Sequence, residues 1–92
     1  MQRNFESEAQ LAEDDARGMV GRLTPTQRVI LAGLLCGESG KSIATGLRMG
    51  PADYETQRAG LMRHLNADST AEAVRIALLA GMDEPRRRTS PD

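Results

Sequence analysis

Aromatic side chains are almost missing from these 92 residues: Phe5 and Tyr54 are the only two, and there is no Trp. Stacking platforms for single-stranded nucleic acid and large aromatic-lined ligand pockets both need more, and so does a β-sandwich core. Cysteine is as scarce. The lone Cys36 can close no internal disulfide, which fits a reducing compartment. His64 is the only histidine, and it lies far along the chain from Cys36, so neither a metal-ligand cluster nor a nucleophile–base pair is suggested. No cofactor and no catalysis are expected. There is also no apolar run long enough to span a bilayer, and Met1 to Glu6 lack the apolar core of a secretory signal. The expected place is the cytoplasm, without a membrane partner.

Charge of one sign is missing too. Twelve basic side chains face thirteen acidic ones, so bulk charge draws this chain neither to nucleic acid nor to anionic lipid. Any electrostatic function must be local. With 39% apolar residues in 10.0 kDa there is material for one modest core. The charges divide into an acidic leader at 1–22, a nearly neutral domain at 23–82, and a tail at 83–92. That tail holds Arg86, Arg87 and Arg88 between prolines, and it is read as flexible.

What is present is helical. In the leader, Phe5, Ala9, Ala12, Ala16 and Met19 recur at helical spacing opposite most of the acids, predicting a short amphipathic helix that ends near Gly18 or Gly21. Its stripe is mostly alanine, so it must dock on something. Thr24-Pro25-Thr26-Gln27 combines an N-cap, a proline at the first helical position and a capping box, opening a helix with Ile30, Leu31, Leu34 and Leu35 on one face and Gly37 to stop it. Ser39 caps a short second helix holding Ile43, Ala44 and Leu47, which ends in the turn Arg48-Met49-Gly50. Pro51 opens a third helix through about Leu65, with Tyr54, Leu61, Met62 and Leu65 apolar and Asn66 suited to a left-handed end. Ser69 with Glu72 forms a second capping box and starts a fourth helix, Thr70 to about Gly81.

This fourth helix is apolar nearly all round. Val74, Ala77, Leu78 and Gly81 lie on one side, and Ile76, Leu79 and Ala80 on the other, so two coverings are needed. One is the domain core. The other is either the leader helix or a second copy of the chain; the second copy is preferred, which places Ile76, Leu79 and Ala80 at a dimer interface.

The spacing of Leu23-Thr24-Pro25, Arg28, Ile30-Leu31, Gly37, Ser39, Lys41, Ile43-Ala44, Leu47, Arg58, Leu61, Leu65, Glu72-Ala73-Val74 and Ala77 resembles the LuxR/FixJ/GerE-type helix-turn-helix domain of bacterial transcription regulators. The fold class is therefore all-α: four helices of that type plus the leader helix. The resemblance implies that the second and third helices form the helix-turn-helix, that the third enters the major groove of double-stranded DNA, and that the fourth dimerises the domain. Family members usually carry a receiver or ligand-binding module ahead of it. Here the leader, expression level or a second protein is expected to supply control.

On that layout Lys41, Arg48, Arg58 and Arg63 are expected at phosphates, and Ala52, Glu55, Thr56 and Ala59 at base edges. A carboxylate at Glu55 can accept from the amino group of cytosine. One departure stands out. Where the family usually reads Ser-x-x-Thr-Val-Lys-x-His, this chain reads Gly50-Pro51-Ala52-Asp53-Tyr54-Glu55-Thr56-Gln57. Two acids replace a phosphate-binding hydroxyl and a lysine, and each opposes DNA by about 1 kcal/mol at partial screening. They also suit a helix N-terminus without any ligand. A second function follows: a protein-interaction adaptor whose Asp53, Tyr54 and Glu55 bind a basic regulator or the transcription machinery.

Gly37-Glu38-Ser39-Gly40-Lys41-Ser42 imitates a phosphate loop, but the position that must be glycine is Leu35 and the context is helix to helix. Gly46 and Gly60 each cost their helix about 1 kcal/mol against alanine. Close approach to DNA or to a partner helix would explain them, as would drift in a stable scaffold.

Overall fold

Side-chain caps read in the sequence at Thr24, Ser39 and Ser69 begin three of the helices in space. The computed structural model describes residues 5–82, with side chains from Glu13 to Met82. The tail expected at 83–92 and the first four leader residues lie outside the described residues. Among the described residues there are five helices: α1 (Phe5–Gly21), α2 (Pro25–Leu35), α3 (Gly40–Gly46), α4 (Pro51–Leu65) and α5 (Thr70–Leu79).

Thr24 Oγ1 accepts from Gln27 N–H at 3.1 Å while Gln27 Oε1 accepts from Thr24 N–H at 3.1 Å, so both halves of the first capping box form. α2 then closes on Gly37, left-handed at φ 82°, with Glu38 N–H reaching back to Gly33 O at 2.9 Å. Ser39 Oγ takes Ser42 N–H at 3.0 Å and starts α3. Asn66, at φ 54°, ends α4 in the left-handed conformation its sequence suggests. The second capping box is only half built. Ser69 Oγ accepts from Glu72 N–H at 3.2 Å, but the Glu72 carboxylate accepts from Asp68 N–H instead of the Ser69 N–H and lies 3.6 Å from Arg75. α5 also stops at Leu79, short of Gly81, because Gly81 itself supplies the left-handed turn at φ 90°.

Between α3 and α4 the left-handed residue is Arg48, at φ 58°, and not Gly50, which sits at φ −74° as the N-cap of α4. Arg48 and Met49 N–H donate to Thr45 O and Ala44 O, both at 3.0 Å, so the turn is a helix-closing motif made without glycine.

Ile30, Leu31, Leu61 and Leu65 are fully buried where α2 and α4 cross, and Ala73 and Ala77 bring α5 onto them. Gly60 permits that crossing. A Cβ there would stand 2.8 Å from Nε2 of Gln27, itself a buried side chain held by the capping box, so a close helix contact accounts for this glycine. Gly46 has open space around it and needs no such reason.

α1 packs on both α4 and α5. Ala16 is 3% exposed, and Met19 and Val20 are half-buried against the core. Arg28 Nη2 donates to Gly21 O at 3.3 Å and ties the end of α1 to α2. The second face of α5 is thereby covered inside the chain. Of the three residues assigned to a dimer surface, Ile76 is only 7% exposed and forms part of the core, while Leu79 and Ala80 are half-buried against it. The expectation that Ile76 faces another copy is corrected: it is core within the chain, on a helix that both α1 and α2 pack against. On α5 the large apolar side chain left in solvent is Leu78, at 57%. No helix among the described residues is long and apolar enough to cross a membrane.

Candidate nucleic-acid interface

Each helical residue turns the chain by about 100°, so positions three, four and seven apart share a side. On α4 that rule gathers Ala52, Glu55, Thr56, Ala59 and Arg63 into one stripe, and all five are exposed. Tyr54, Leu61 and Leu65 occupy the opposite side and are buried. The stripe is narrow and mostly small, with an acid near its start and a cation near its end. Thr56 Oγ1 donates to Ala52 O at 3.1 Å, committing its hydroxyl proton to its own helix.

Lys41, on α3, and Arg48, in the turn, are exposed. Neither they nor Arg63 enter an ion pair within 4.0 Å among the described residues, where the pairs found are Arg17–Asp14 and Arg75–Glu72. Lys41 and Glu55 border one cleft of about 440 Å³ between α3 and α4, over Ala44, Met49 and Tyr54. The ammonium thus lies on the same opening as the carboxylate and offsets part of its repulsion toward an anion.

Three expected residues depart from this surface. Arg58 is half-buried off the stripe, and its Nη2 donates to Thr70 Oγ1 at 2.8 Å, linking α4 to the first turn of α5. Tyr54, named as a contact residue in the adaptor reading, is 5% exposed, its ring lying where a Cβ on Gly40 would meet it at 3.0 Å. Asp53 is exposed but one position round the helix from Ala52, and so off the stripe. His64 is exposed and Cys36 half-buried, and no group of three or more side chains that could hold a metal ion occurs among the described residues.

Sequence reasoning missed Thr70 as the partner of Arg58. The two are twelve positions apart on different helices, and no local pattern pairs them. It put Val74, Ala77 and Leu78 on one side of α5, yet Ala77 is fully buried and Leu78 is 57% exposed, since periodicity carries no mark of which side another helix covers.

A short α3, a tight turn and an α4 with one exposed stripe, resting on α2 and α5, define a helix-turn-helix domain. Comparison with known proteins makes the class specific. No family model matches the chain. The transcriptional regulatory protein FixJ of Bradyrhizobium diazoefficiens is 34% identical over 76 residues, which is 83% of this chain and 37% of the relative. FixJ of Azorhizobium caulinodans is 39% identical over 74 residues, 76% of this chain and 35% of the relative. The crystal structure of full-length FixJ from B. japonicum superposes with a TM-score of 0.75 at 32% identity, covering 87% of this chain and 39% of that one. The chain carries a helix-turn-helix domain of the LuxR/FixJ/GerE type. It spans a little over a third of the length of these relatives, which are regulators and not enzymes. Residues 23–92 make up about three-quarters of the chain, so a likeness over 87% of it also reaches into the leader.

Proposed function

We propose that this chain is a transcription regulator that binds double-stranded DNA by laying α4 in the major groove. The observation that carries the reading is the single exposed stripe Ala52, Glu55, Thr56, Ala59 and Arg63 on the helix that follows the turn. Fifteen residues make α4 about 22 Å long, and a helix of that size fits the groove. Lys41 and Arg48 flank the stripe as phosphate contacts, and Glu55 with the small side chains meets base edges.

Dimerisation goes with this function, and α5 remains the element proposed for it. The side of α5 offered to a second copy is the one bearing Leu78 and the half-buried Val74, in place of Ile76, Leu79 and Ala80. A gel shift against random duplex DNA over a salt series tests the main reading: affinity should fall steeply as salt rises, with a slope set by the number of phosphates neutralised. The exposed acids Asp53 and Glu55 at the start of α4 favour a second reading, an adaptor for a basic protein partner. Absence of DNA binding at low salt would select it, because attraction is least screened there.

A further inference from the structure

Arg58 was expected to hold a phosphate. The structure gives its guanidinium another partner: Nη2 donates to Thr70 Oγ1 at 2.8 Å, across twelve residues, in a half-buried position. Thr70 is the first residue of α5 and follows Ser69, whose Oγ caps that helix by accepting from Glu72 N–H. The bond therefore joins the middle of α4 to a capped, well-defined helix end. On α4, Arg58 is the neighbour of Ala59 and stands two positions from Thr56 and five from Arg63. A guanidinium presents several donors in a rigid plane, so it fixes orientation better than a flexible ammonium does.

We propose that Arg58 is a positioning residue, acting through Thr70 to set the angle at which the α4 stripe is presented relative to α5, and that it thereby governs sequence discrimination and not phosphate affinity. This role rests on DNA binding by α4. Two recognition helices of a dimer related through α5 would take their relative orientation from the same bond. Losing it lets α4 settle differently on the groove. Base contacts, which depend on angle and distance, weaken, while phosphate contacts through Lys41, Arg48 and Arg63 adapt.

The test compares Arg58→Ala, Thr70→Val, the double variant and Thr70→Ser, each checked for folding and assayed well below its unfolding temperature. The probes are a duplex selected by the wild-type chain from a random-sequence pool and an unselected duplex. Arg58→Ala and Thr70→Val should each weaken the selected complex by about tenfold, the size of one misplaced base contact, and the double variant should weaken it no further. Thr70→Ser, which keeps the hydroxyl, should behave as wild type. Affinity for the unselected duplex and its salt slope should stay unchanged throughout. Should Arg58→Ala fail to fold, Thr70→Val and Thr70→Ser still decide the matter. The role is overturned if Thr70→Val binds like wild type, or if Arg58→Ala weakens both duplexes equally and lowers the salt slope by about one, the mark of a lost phosphate contact. A wild-type chain that binds no duplex at low salt defeats the DNA reading itself, and this role with it.

Discussion

α4 and α5 sit side by side in one core, yet their sequences were informative to different degrees. α4 carries apolar residues on one side only, so its outward stripe follows from periodicity, and Ala52, Glu55, Thr56, Ala59 and Arg63 are all exposed. α5 is apolar nearly all round, and there periodicity defines two sides without ranking them. Packing of α1 and α2 on α5 cuts across both sides: Ala77 from one and Ile76 from the other are core, while Leu78 is left at 57% exposure. A helix with one apolar face declares its own surface; a helix with two needs a neighbour to do so.

The largest expected effect tests that asymmetry directly. Ile76→Glu would put a carboxylate into the apolar core, at a cost of several kcal/mol, a large part of the stability of so small a domain. Circular dichroism should show it unfolded or strongly destabilised. Leu78→Glu, on the open side, should stay within about 0.5 kcal/mol of wild type in stability, as solvent-facing substitutions do. By sedimentation it should be a folded monomer if Leu78 is at a dimer contact. Two folded variants with equal stability would break the contrast drawn between the sides of α5.

A smaller effect sharpens the picture of α4. Glu55 lies on the stripe and Asp53 beside it, so removing their charges should not be equivalent. Glu55→Lys changes the charge facing DNA by two and should tighten non-specific binding by about tenfold at low salt. Asp53→Thr, further round the helix, should give about threefold or less. If Glu55 reads a cytosine, the lysine variant also loses the preference for the selected site. Equal gains from both changes would show that the stripe is not the surface facing DNA.

The smallest effect concerns the turn between the two helices. Arg48 holds a left-handed conformation that costs a residue with a Cβ about 1 kcal/mol, so Arg48→Gly should raise thermal stability slightly. The same change removes an exposed cation, and the salt slope of DNA binding should fall by about one. A variant more stable and weaker on DNA would show that the turn stores strain where a charge is useful.

Helix number, order and most boundaries could be read in the sequence because they are local. Thr24 with Gln27, Ser39, Asn66 and the prolines at 25 and 51 act on backbone groups within four residues of themselves. The α4 stripe was legible for the same reason, as a helix repeats its own geometry. What the sequence left open lies between helices. Gly60 could be attributed to contact or to drift until Gln27 was found against it, and Arg58 was assigned to a phosphate although Thr70 accepts its hydrogen bond.

Composition, periodicity and caps by themselves determined an all-helical order with one exposed side on α4, and a family resemblance added the helix-turn-helix. Only the tertiary structure decided that α1 covers α5, that Arg58 turns to Thr70 and that Tyr54 is core. Burial is a property of pairs of surfaces. A sequence states which faces are apolar, and only the packed chain states which of them meet.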